Sequence, residues 1–299
     1  MEPASRSNAA AFTATPAFES LLAWYFVLVW GTGFLATKAG LQYAAPFTFL
    51  TLRFVFGLAI LVPVVLLLRP AWPASAAQWG HVVAAGLLMH AINLGGSHYA
   101  QYLGMSAGVT ALLLGTQPLA TALISSRFLG EPLRPRQWTG VAIGLAGVAL
   151  VVWHKVDVRA VTAASLAAAA ISLAAITSGT LYQRAFCPHA DLRSAALIQF
   201  AASLAVLAPL AWGVEGLRVE WSWTLVLAIV FLVIFASILA VSVLHLLMRR
   251  GHATRVTSLL YLTPVVAVVL EGALFGVVPT FVTAAGIAVT CAGVALVTR

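Results

Sequence analysis

The sequence predicts an all-α polytopic membrane protein of ten transmembrane helices, arranged as two inverted five-helix repeats. Three observations carry this expectation. The first is composition: of 299 residues, 62% are hydrophobic and only 8% charged, with a mean hydropathy of +1.02. Soluble domains carry about 25% charged residues, and a soluble fold of this length has no place to hide so much apolar surface. The second is an internal echo at one ungapped offset of 146 residues (264 − 118), which puts Pro118 on Pro264, Gly130 on Gly276 and Gly140 on Gly286. At its end Ala146-Gly147-Val148-Ala149-Leu150-Val151 falls letter for letter on Ala292-Gly293-Val294-Ala295-Leu296-Val297, and toward its start Phe54 falls on Phe200 and Pro63 on Pro209. The third is charge. The loop after the fourth span holds Arg127, Arg134 and Arg136 while its copy near 275–281 holds no Lys or Arg; the loop after the third span holds none while its copy holds Arg249 and Arg250. Five spans per half is an odd number, so the second half enters from the opposite face, and the positive-inside bias changes loop accordingly.

A helix needs about 20 apolar residues to cross the hydrocarbon core. Residues 1–20, Ala/Ser/Thr-rich with Arg6 as the only base, read as a disordered cytoplasmic tail. The first repeat, 21–153, gives spans at 21–38, 46–68, 78–98, 101–129 and 136–153, the third and fourth divided only by a tight turn near 98–102. The second repeat, 163–298, gives 163–184, 192–212, 223–248, 253–275 and 280–298. Trp138, Trp153, Trp221 and Trp223 flank spans as interfacial aromatics do. With both termini inside, Arg69, Arg127, Arg134, Arg136, Arg184, Arg193, Arg249, Arg250 and Arg255 are cytoplasmic and Lys38, Lys155, Arg159 and Arg218 outside. The net charge of +8 is scattered between apolar runs rather than gathered on a face, which argues against a nucleic-acid partner. Cys187 and Cys291 imply neither a metal site nor a disulfide framework, and no cofactor is expected.

Candidate site residues are polar or backbone-bending groups inside the spans. Gly31-Thr32-Gly33-Phe34-Leu35-Ala36 spells a dinucleotide fingerprint but lacks its strand and its acidic residue. Beside Trp30, Gly31 and Gly33 serve either close packing or cavity lining. His90, Asn93 and Ser97 share one face of the third span, as cavity lining or as an interhelical network, with His90 a weak candidate for proton coupling. Ser237, His245, Thr257 and Tyr261 are candidates of the same kind in the second half, and Gln117 and Tyr182 weaker ones. Pro118 and Pro264 stand mid-helix at equivalent positions, as paired kinks or hinges. Arg53 and Glu271 either pair to close the outer end of a pathway or snorkel separately. Glu131 is a loop charge balanced by Arg127 or Arg134. The glycine seams Gly140/Gly144/Gly147 and Gly286/Thr290/Gly293 mark the fifth and tenth spans as scaffold. No Walker A, H-E-x-x-H or G-x-S-x-G sequence occurs, so neither ATP hydrolysis nor intramembrane hydrolysis is expected.

Trp30-Gly31-Thr32-Gly33-Phe34 followed by Lys38, Pro46, Arg53-Phe54, Gln117-Pro118 and Leu129-Gly130-Glu131, with a Gly-rich closing helix, resembles the EamA-type branch of the drug/metabolite transporter superfamily. The resemblance covers nearly the whole chain in two halves. It implies ten helices around a central cavity, both termini cytoplasmic, and export of small molecules across a bacterial inner membrane; the weakly polar, aromatic set of candidate residues, with no carboxylate cluster, suggests amino acids or related metabolites as substrates. The second half departs from the pattern: Gln199 stands opposite Arg53, and Val277 opposite Glu131. The expected mechanism is alternating access, with the lipid bilayer and a small-molecule substrate as partners and a proton or other ion as the coupling species. The competing reading is a membrane scaffold or sensor subunit that moves nothing.

Overall fold

A computed structural model describes residues 16–128, 132–157, 161–240, 243 and 262–298. Among these, regular structure is helical: α1 (Pro16–Gly40), α2 (Pro46–Leu68), α3 (Ala76–Gly86), α4 (Asn93–Tyr102), α5 (Ala107–Leu114), α6 (Gln117–Phe128), α7 (Pro135–Asp157), α8 (Ala163–Phe186), α9 (Leu192–Leu210), α10 (Trp223–Val230), α11 (Thr263–Phe275) and α12 (Phe281–Thr298). A π-helical turn, Leu87–Ile92, joins α3 to α4; others, Ala211–Glu215 and Phe231–Leu239, continue α9 and α10. Five stretches are long and apolar enough to cross a membrane: Pro46–Leu68, Ala107–Arg127, Pro135–Trp153, Ala163–Phe186 and Leu192–Glu215, with shorter apolar helices at Trp223–Leu239, Thr263–Phe275 and Phe281–Val297.

Short polar side chains set the helix starts by taking orphan backbone N–H groups. Ser75 accepts from the Gln78 N–H, Ser106 from Val109, Asp191 from Arg193 and Ser222 from Leu225, while Thr162 and Ser165 form a reciprocal capping box. Pro46 opens α2, where its missing N–H costs nothing. These local signals move several boundaries from those expected. Helix α1 begins at Pro16, so residues 16–20 are helical and not part of a tail. The third and fourth spans divide at 103–106, where Gly104 adopts φ 97° and Ser106 caps α5; the fourth therefore starts at Ala107 and not at Gln101. That fourth span is also broken, ending at Leu114 and restarting at Gln117.

The two halves interlock reciprocally. Helix α1 packs on α11 and on α10 with its π continuation; its equivalent, α8, packs on α5 and α6 and on α3, α4 and their π turn. Two helix pairs match themselves, α2 with α9 and α7 with α12. A Cβ added at Gly140 would lie 2.7 Å from the Gly293 carbonyl oxygen, and one at Gly147 2.7 Å from that of Gly286. Since 286 and 293 are the counterparts of 140 and 147, each contact is the other's mirror under the repeat, the signature of a two-fold relation. Gly140 meets Gly293 while Val151 meets Gly286, so α7 and α12 run antiparallel along this seam. Phe54 and Phe200, also counterparts, meet edge to face with ring centres 5.1 Å apart.

The outer surface is apolar. Leu67, Trp153, Trp212, Trp223 and Phe281 are mostly exposed, as are Trp138 and Trp221. The buried interior instead collects polar groups, including Arg53, Asn93, Ser97, His98, Gln199 and Glu271. Apolar outside and polar inside is the order that lipid solvation selects.

Candidate functional site

The π turns position the central polar layer. Shifted by the repeat offset, Leu87–Ile92 becomes 233–238, inside Phe231–Leu239, so both third helices widen at the same depth. A π turn leaves carbonyls without their usual i+4 donor, and such turns recur at functional sites. The Leu232 carbonyl accepts from the Ser237 hydroxyl at 2.8 Å, and the Ser237 oxygen accepts from Arg53 Nη2 at 3.0 Å. On the other half, Gln199 Oε1 lies 3.2 Å from His90 Nε2, and Gln199 Nε2 donates to Gln183 Oε1 at 3.0 Å. Gln199 is the counterpart of Arg53. Each second helix thus reaches across to the π turn of the opposite half, once with a cation and once with an amide. The Phe54 and Phe200 rings fill the space between, both edge-on to the His90 ring at 6.2 and 5.1 Å. Gly57 and Gly86 make this crossing possible: a Cβ at Gly86 would meet the Gln199 backbone at 2.6 Å, and one at Gly57 the Phe200 ring at 3.0 Å.

A second constellation lies near the C-terminal ends of α1 and α11. Glu271 pairs with Lys38, Nζ to Oε1 2.7 Å, not with Arg53 as one expected reading had it. Helix α11 lies against α1 and α5, which brings its carboxylate to Lys38 and leaves Arg53, on α2, facing the π turn after α10. Glu271 also accepts the Ala107 and Gly108 N–H groups at 3.0 and 2.9 Å, so one buried carboxylate caps α5 and binds α1 to it. Lys38 Nζ stands 4.7 Å from the centre of the Phe275 ring.

The other expected site residues are distributed differently. Asn93 and Ser97 face inward at helix contacts: Ser172 donates toward Asn93 O and Oδ1 at 2.7 and 2.8 Å, and Ser97 bonds to Leu94 O and His98. His90 shares their helix but reaches α9. Gln117 Nε2 donates to Thr180 at 3.1 Å, and Tyr182 OH lies 2.8 Å from His81 Nδ1. Trp30 is partly exposed and packs against Phe26. Gly31 is a close-packing glycine, its would-be Cβ 2.8 Å from Val266, while Gly33 has looser room, 3.6 Å from Leu232. Pro118 and Pro264 stand just after interruptions or starts of regular helix. Each occupies the second position of a helix, α6 and α11, where a proline is accommodated without losing a hydrogen bond. His245, Thr257 and Tyr261 lie outside the described residues. Lys38, Gln183 and Ser172 were not among the candidates. Lys38 had one signal, as the cation at the outer end of the first span; the other two, polar residues in an Ala/Ser-rich helix, had none.

The profile of the EamA-like transporter family matches residues 17–153 and again 162–299. Among curated proteins, the chain is 28% identical over 262 residues to the uncharacterized inner membrane transporter YedA of Escherichia coli K12, covering 87% of this chain and 83% of that one. It is 24% identical over 288 residues to a probable amino-acid metabolite efflux pump of Salmonella typhimurium, covering 92% and 93%. A solved crystal structure, 22% identical, superposes with a TM-score of 0.63 over 94% of this chain and 96% of the other, a likeness of fold.

Proposed function

We infer function from one premise: the chain belongs to the EamA-like transporter family, which matches both of its halves. It is a membrane transporter of small molecules. We propose the finer reading that ten helices form two inverted halves with both termini cytoplasmic, in a bacterial inner membrane, and that the halves export amino acids or related metabolites by alternating access. The names given to relatives in Escherichia coli and Salmonella typhimurium point to that substrate class and membrane. The observation that carries the mechanism is the central layer: its bonds from Arg53 to Ser237 and from Gln199 to His90 run between halves, so rocking one half against the other must break and remake them. In this arrangement Glu271, held by Lys38 and the start of α5, is the latch of the outer end. The test is counterflow of labelled amino acids in proteoliposomes, with and without an imposed proton gradient. Saturable flux over empty liposomes is expected. Flux of no tested metabolite would favour a scaffold, and gradient dependence surviving His90→Asn would remove His90 from proton coupling.

A further inference from the structure

Among the described residues, Arg53 is a full charge with no opposite charge paired to it. It is 9% exposed, its Nη2 donates to the Ser237 hydroxyl at 3.0 Å, and its Nε–H finds no acceptor among the described residues. A neutral hydroxyl whose own proton is committed to Leu232 O does not neutralise a guanidinium. A cation at the centre of a bilayer costs at least about 2.5–3.5 kcal/mol, so intramembrane charges are normally paired.

Among the described residues, no acidic side chain supplies the partner. Glu271 is held by Lys38, Ala107 and Gly108. Glu215 accepts the Phe47 and Thr48 N–H groups and the Thr48 hydroxyl, capping α2, and Asp191 caps α9. Glu220 lies in the loop before α10. Glu2 and Glu131 belong to the N-terminal stretch and the α6–α7 connection, and residues 241–261 contain no Asp or Glu.

We propose that Arg53, held in place by its bond to Ser237, is the subsite for a carboxylate of the transported molecule. This deepens the transport reading above and rests on it. A guanidinium fork matches the planar carboxylate bidentately. One guanidinium suits a monoanion. The counterpart position holds Gln199, whose amide is already matched by His90 and Gln183, so only one half carries the charge and the substrate is oriented. Among the described residues, no carboxylate lies in the layer to meet an ammonium. The subsite therefore requires the substrate's acid group and not its amine.

The test uses the purified full-length protein. Thermal unfolding is measured with leucine, N-acetylleucine, leucinamide, phenylalanine and phenylalaninamide as probes, and flux of the same compounds is measured in proteoliposomes. The acids, acetylated or not, raise the unfolding midpoint, and the amides do not. Arg53→Gln abolishes the shift, Ser237→Ala weakens it several-fold, and Arg53→Lys, which keeps charge but loses the fork, weakens apparent affinity by about tenfold or more. Should Arg53→Gln fail to fold, Arg53→Lys carries the test. Equal stabilisation by acids and amides, no stabilisation by any acid, or an acid response unchanged in either Arg53 variant overturns the proposal. Arg53-dependent stabilisation by acids without flux of any compound leaves the carboxylate subsite standing and overturns transport.

Discussion

Replacing Glu271 with Gln removes the charge of the latch while keeping its shape. The side chain is 3% exposed and its two oxygens receive three donors: Lys38 Nζ at 2.7 Å, Ala107 N–H at 3.0 Å and Gly108 N–H at 2.9 Å. The amide oxygen of Gln can still accept from α5, so the loss is the ion pair and the charge assistance to the helix start. Breaking a buried pair costs about 3–5 kcal/mol; Lys38, 26% exposed, places this one toward about 3 kcal/mol, because water already screens part of the attraction. At 1.36 kcal/mol per tenfold, that shifts the balance of closed and open outer ends by about a hundredfold. The assay is labelling of Ala111→Cys, buried three residues inward from Gly108, by a membrane-impermeant maleimide applied from outside. The background carries Cys187→Ser and Cys291→Ser. Glu271→Gln should raise the labelling rate by at least about tenfold, the single change being partly absorbed by local relaxation. The double change Lys38→Met with Glu271→Leu should return part of the way, because an apolar pair leaves no charge stranded. Labelling of Glu271→Gln at the parental rate refutes the latch.

Two further predictions concern packing. Gly293→Ala should lower the unfolding midpoint, since its Cβ would sit 2.5 Å from Gly144 Cα with backbone on both sides, an overpacking cost of about 1–3 kcal/mol. Gly80→Ala meets nothing within 4 Å and should instead stabilise by up to about 1 kcal/mol through helix propensity; the reverse order of midpoints would sink the account of the seam. A double-mutant cycle of Asn93→Ala and Ser172→Ala should give a coupling of about 0.6 kcal/mol, reaching about 1.7 at most. A coupling near zero would mean that the 2.8 Å side-chain contact contributes nothing net, since the 2.7 Å contact to the Asn93 main-chain carbonyl survives Asn93→Ala.

Much of the frame was legible because it is written in period and composition. The glycine seam could be assigned to packing from Gly140, Gly147, Gly286 and Gly293 alone, since small residues at repeated spacings have few other uses in lipid. Helix starts were less legible. Ser106 looked like one more small residue, yet as a cap it moves the fourth span six residues from where hydropathy placed it. Pro118 and Pro264 looked like kinks because each lies within an apolar run. The break at Gly115–Thr116 turns Pro118 into a helix starter, and sequence does not distinguish a kink from a restart when both keep the same apolar length.

The sequence by itself determined the environment, the repeat and the equivalence of positions, because lipid imposes apolar length on every span and duplication leaves its offset in the letters. It could not determine partnership. Arg53 and Glu271 were the two intramembrane charges, and nothing in one dimension says whether they meet. Tertiary structure decided that they do not: α11 lies against α1 and α5, which gives Glu271 to Lys38, and the α2–α9 crossing turns Arg53 toward a π turn of the other half. The physical reason is range. Hydropathy and capping act within a few residues, whereas an ion pair or a hydrogen bond acts over about 3 Å between helices whose contact depends on how the whole bundle packs.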